Sequence, residues 1–122
     1  MRRAVLAAVA VTLLSSAARP PTVMNAALSP TTGGVLLEAS VSVMSADTLL
    51  GVWGPVGRGK LMRCAPRCVV VQSVAMQRGA VLSRQGLYRV VLAGRYTRGQ
   101  RVAVLLKFGS GLVRVDALVG AS

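Results

Sequence analysis

A two-residue alternation recurs along this chain and is broken at short intervals by glycine and proline. Leu37, Ala39, Val41 and Val43 alternate with Glu38, Ser40 and Ser42. Val102, Val104, Leu106 and Phe108 alternate with small or basic neighbours. Gly109-Ser110-Gly111 interrupts, and Val113, Val115, Ala117 and Val119 then alternate with Leu112, Arg114, Asp116 and Leu118. Successive side chains of a strand point to opposite faces, so this period gives strands with one face in a core and the other in water. No segment beyond residue 18 reads as a helix of useful length. Valine and glycine are abundant and glutamate and lysine scarce, which favours strands joined by turns. Trp53, Tyr88, Tyr96 and Phe108 are the only aromatic residues, so leucine, valine and alanine must fill the core.

Further strands are expected from Asp47 to Trp53, Lys60 to Cys64, Val69 to Val74 and Ala80 to Ser83. Leu87 to Ala93 is apolar enough for a central strand. Gly54-Pro55, Gly57-Arg58-Gly59 and Arg84-Gln85-Gly86 read as turns, and Gly94 to Gly99 as a loop. Short strands at this spacing predict an all-β sandwich or barrel, with Leu37, Val41, Leu50, Val91, Val104, Leu106 and Val115 in one core.

The first eighteen residues follow another pattern. Arg2 and Arg3 precede an apolar run from Ala4 to Leu14, and Ser15-Ser16-Ala17-Ala18 follows. Basic head, apolar middle and small-residue end form the layout of a secretory signal peptide. The run is too short for a membrane span, which needs roughly 20 apolar residues. Three regions are therefore expected: a signal peptide at 1–18, a flexible segment at 19–30 containing Pro20, Pro21 and Pro30, and a β-sandwich domain at 31–122. The protein is expected to be secreted or to reside in the periplasm or cell envelope.

The chain holds 15 Lys and Arg against 3 Asp and Glu, a net charge of +12, and removing Arg2 and Arg3 leaves +10. Such a surface suits polyanions, here the anionic cell-envelope surface. The cations are scattered and few aromatics lie among them, which speaks against nucleic acid as a partner. A basic surface that is merely solvated remains the alternative.

The chain has no histidine, so Ser-His-Asp and Cys-His catalysis are excluded. Glu38, Asp47 and Asp116 do not form an evident acid–base pair, and the glycine loops lack the strand–loop–helix setting of a phosphate loop. The chain reads as non-enzymatic. Met24, Met44 and Met76 are scattered and read as gap-fillers. Met62-Arg63-Cys64-Ala65-Pro66-Arg67-Cys68 holds the remaining chemistry. Cys64 and Cys68 form a structural disulfide in one reading. In others they act as a thiol redox pair, or bind copper(I) with Met62 as a third soft sulfur.

Three stretches bear on ancestry. Ala46-Asp47-Thr48-Leu49-Leu50-Gly51-Val52-Trp53-Gly54-Pro55-Val56, Gly86-Leu87-Tyr88-Arg89-Val90-Val91-Leu92-Ala93-Gly94 and Thr97 to Phe108 resemble, in order and spacing, segments of the periplasmic copper chaperones of the PCu(A)C type. The resemblance spans roughly residues 27–119. It implies a cupredoxin-like or immunoglobulin-like β-sandwich and a role in passing copper(I) to a copper-accepting membrane protein. That family holds copper(I) with two histidines and two methionines. At the matching positions this chain has Met62, Val71, Arg89 and Val91, so the resemblance implies a degenerate site. Metal handling, envelope binding and thiol redox chemistry stand as the function classes.

Overall fold

Along Arg101–Phe108 every second residue is buried, and the pattern is strict over the whole strand. In the computed structural model, which describes residues 19–120, this strand is β10 of eleven. The expected signal peptide lies outside the described residues. The others are β1 (Thr22–Thr31), β2 (Gly34–Ser42), β3 (Asp47–Gly54), β4 (Gly57–Arg58), β5 (Lys60–Cys64), β6 (Cys68–Val71), β7 (Val74–Met76), β8 (Ala80–Leu82), β9 (Tyr88–Leu92) and β11 (Gly111–Val119). The described residues contain no helix.

The strands hydrogen-bond in the order β4-β3-β10-β11-β1-β2-β9-β5-β6, with β7 added to β3 and β8 to β2. Strand β1 runs parallel to β11, at Ala27↔Leu118 and Leu28↔Val119. The sheet curls into a small β-sandwich. Leu49, Val52, Val104, Leu106 and Phe108 on one side meet Leu37, Val41, Leu61, Val90 and Leu92 on the other in a single buried cluster. No polar or charged residue is buried among the described residues.

Asp47 ties two turns to this frame. It accepts hydrogen bonds from the Thr48 backbone amide and from the Ser110 hydroxyl, and Gly109 N–H donates to Thr48 O at 2.9 Å. The start of β3 is thereby held against the β10–β11 turn.

Five expectations need correction. Residues 22–31 are not a flexible segment but β1, lying between β11 and β2. Leu28 is fully buried, and Val23 and Ala26 pack on the core. Pro30 is tolerated because β11 pairs only with Ala27 and Leu28, so the missing N–H costs no bond to that neighbour. A bulge between Met24 and Ala27, with Asn25 at φ 56°, adjusts the register. Next, Leu50 is 37% exposed, and Val91 and Val115 are only half-buried. Gly57-Arg58 forms the return strand of a hairpin on β3, and the run to Val74 splits between β6 and β7. Finally, Met76 fills the core as expected, but Met24 and Met44 are 49% and 82% exposed.

Gly34 opens β2 at φ 151°, and a Cβ there would strike the carbonyl of Leu92 on the neighbouring β9. A glycine is required for that close approach.

Phe108 is the largest of the fully buried side chains. Phe108→Ala is expected to lower stability by about 3–5 kcal/mol. Leu50→Ala, on the outer surface, should cost about 1 kcal/mol or less. Urea unfolding followed by circular dichroism checks both.

Candidate functional site

Strand β5 pairs with β6 on one side and β9 on the other, so its register decides which of the sequence-selected residues meet. Met62 stands opposite Val70 on β6 and opposite Arg89 on β9. Cys64 stands opposite Cys68, and Lys60 opposite Val91. Alternation then puts Lys60, Met62, Cys64, Cys68, Val70, Arg89 and Val91 on the outer face. Leu61, Val90 and Val71 take the other face, where Leu61 and Val90 are buried and Val71 packs on the core. The structure therefore brings together Met62, Arg89 and Val91 but turns Val71 away. The exposed Val70 occupies the outer position beside Met62.

Cys64 and Cys68 are joined by a disulfide, and no cysteine is free. The bridge closes the β5–β6 hairpin around Ala65-Pro66-Arg67, whose Ala65–Pro66 bond is cis. Cys64 N–H also donates to Leu87 O at 2.7 Å, fixing the hairpin to the segment leading into β9. The arrangement joins two adjacent strand ends and leaves no thiolate to bind a metal.

A hollow of about 180 Å³ opens over this face. Val91, Ala93 and Met62 line it together with Lys60, Arg58 and the Thr32-Gly33 turn. No carboxylate lines it. Arg58 is held in place, with its guanidinium over the Trp53 ring at 5.5 Å and its Nη2 donating to Leu50 O at 3.0 Å. Arg89 is half-buried, and its Nε is enclosed without a hydrogen-bond partner. The ion pair found among the described residues lies elsewhere, between the exposed Arg114 and Asp116 at 3.5 Å. No group of three His, Cys, Asp or Glu side chains among the described residues could hold a metal. The face is thus cationic and apolar, with one thioether.

The Arg58–Trp53 pair was missed in the sequence, where Gly57-Arg58-Gly59 reads as a turn. Its signal was Gly54-Pro55-Val56-Gly57, a two-residue hairpin loop that sets Trp53 directly opposite Arg58.

The chain is similar to the copper-bound PCuAC domain from PmoF2, with 18% identity over 86% of this chain and 96% of that one, at a TM-score of 0.66. That likeness bears out the expected fold. No family model matches the chain, and no curated protein matches it.

The native protein is expected to show no thiol reactive toward Ellman's reagent, and two after reduction in denaturant. Replacing both Cys64 and Cys68 by Ser should lower stability by about 2 kcal/mol, the loop-closure entropy of so short a bridge.

Proposed function

We propose that this chain is an exported, non-catalytic domain on the copper-chaperone fold. The face that would hold the metal lacks the donors for it and carries Arg89 instead, and the domain works by binding the anionic surface of the cell envelope through its exposed cations. The observation that supports this most is Arg89. At the positions to which the resemblance assigns copper ligands stand Met62, Val71, Arg89 and Val91, and only Met62 retains a soft donor. Arg89 lies directly across from Met62 and sets a permanent positive charge on that face. With the cysteines bridged, these residues do not fit copper(I), which needs two or more soft or imidazole donors.

An anion meets the opposite situation. Every lysine and arginine except Arg2 and Arg3 lies in the described residues, against only Glu38, Asp47 and Asp116. Asp47 is occupied at the β10–β11 turn and Asp116 with Arg114. Most of the positive charge is therefore free to attract an external polyanion.

Copper(I) handling is a second reading, tied to one observation: Met62, Cys64 and Cys68 share a face. Reduction of the disulfide by a dithiol, with two electrons and two protons, would release two thiols beside the thioether. Such a sulfur set suits copper(I), with a copper-accepting membrane protein as the partner. A thiol redox role would use the same bridge without the metal.

Binding to polyphosphate or anionic vesicles is expected at low salt and should weaken steeply toward physiological ionic strength, where exposed charges are screened beyond about 8 Å. Salt-independent binding, or none at low salt, rejects the electrostatic reading. In competition with a weak copper(I) chelator, the oxidised protein should take no metal. On the second reading the reduced protein takes one equivalent, Cys64→Ser abolishes this, and Met62→Leu weakens it.

A further inference from the structure

The outer face of β10 and β11 combines exposed leucines with cations in a regular pattern. Leu105 stands opposite Arg114, Leu112 opposite Lys107, and Leu118 opposite Arg101. The three leucines are 41%, 62% and 42% exposed. None of them serves the core, which β10 and β11 supply from their other face through Val102, Val104, Leu106, Phe108, Ala117 and Val119. Three aliphatic side chains thus stand in water, each beside a cation on the neighbouring strand.

The row continues onto β3 and β4. Trp53 stands opposite Leu105, and Arg58 opposite Trp53. The Trp53 ring lies over Gly51, where a Cβ would meet the ring at 2.6 Å, so the glycine is what allows the indole to lie flat along the sheet. Arg58 stacks above it. Across β4, β3, β10 and β11 the outer face reads Arg58, Trp53, Leu105, Arg114. Asp116 is the one carboxylate on the outer face of β10 and β11, and it is paired to Arg114.

We propose that this face docks on an anionic lipid leaflet, with Leu105, Leu112 and Leu118 entering the interface while Arg101, Lys107 and Arg114 meet the lipid phosphates. The proposal rests on the envelope-binding reading and names both the partner and the face. A soluble polyanion would use the cations but give the leucines no role. A second copy of the chain would set like charges against each other. A lipid interface takes both parts of the pattern: apolar groups at the acyl boundary and cations at the headgroups. Trp53 beside Leu105 suits the same boundary, since indole rings favour the headgroup level.

The test uses residues 19–122, which hold every strand of the sheet, with vesicles of neutral phosphatidylcholine, the same vesicles containing phosphatidylglycerol, and soluble polyphosphate. Leaving out residues 1–18 removes an apolar segment with its own affinity for lipid. Trp53 is the only tryptophan. Its fluorescence should be quenched by brominated acyl chains in the anionic vesicles and not in the neutral ones. Replacing Arg101, Lys107 and Arg114 together by Gln should weaken vesicle binding on the order of a hundredfold at low salt. The same charge change at Arg63, Arg67 and Arg78, on and around other strands, should have a much smaller effect. Leu105→Ser, Leu112→Ser and Leu118→Ser combined should weaken vesicle binding about tenfold and leave polyphosphate binding unchanged. Circular dichroism checks that each variant is folded, and the quenching of the wild-type protein needs no variant. Unquenched Trp53 on bound vesicles, or equal losses from the two cation sets, overturns the lipid face and leaves the polyanion reading standing. Binding to neither vesicles nor polyphosphate at low salt removes both.

Discussion

Phe108, Leu106, Val104 and Val102 form the inward row of β10, and they meet a core built almost entirely from leucine and valine. With so few aromatic side chains, the chain reaches a dense interior by setting branched aliphatic residues from many strands against one another. That demands a sheet curled on itself, because a flat one would leave half of those side chains in water. No polar or charged residue is wholly buried among the described residues, although the Nε of the half-buried Arg89 is enclosed. The inside of the sandwich is therefore chemically inert. Whatever this domain does, it does with the outer faces and edges of the sheet.

The face of β5, β6 and β9 illustrates how the side chains set on a backbone decide what such a surface attracts. Cross-strand register puts Cys64 against Cys68 and Met62 against Arg89, and the backbone that does so is that of a fold also seen with copper bound. Two unit charges about 4 Å apart interact by ~1 kcal/mol in water and by several kcal/mol near a protein surface. A guanidinium at Arg89 thus disfavours a cation and favours an anion without any rearrangement of the strands. The disulfide acts in the same direction by withholding both thiolates.

Most strands were legible because their alternation was clean. Leu37 to Val43 and Val102 to Val119 face as their spacing demands. Errors arose where apolar residues stand side by side. In Leu49-Leu50, Val90-Val91 and Val69-Val70-Val71 either parity looks acceptable, and a one-residue shift turns every side chain to the other face. Pairing partners settle such cases: Val71 lies opposite Leu61 and so faces inward, and Val90 does the same. Strand β1 was hidden for another reason. Pro20, Pro21 and Pro30 mark an irregular segment in isolation, yet Pro20 and Pro21 precede the strand, and Pro30 lies beyond the stretch paired with β11 while still standing opposite Val35 of β2. The outer leucines of β10 and β11 were visible as residues, but only the register revealed that each faces a cation.

The parallel pairing of β1 with β11 has a consequence for the order of events during synthesis. Strand β1 is the first strand of the described residues to leave the ribosome, and one of its two neighbours is the last of those strands to follow. The curled sheet cannot close until residue 119 has emerged, and contacts so distant along the chain form slowly. Until then β1 has only one of its two neighbours, and its other edge stays unpaired.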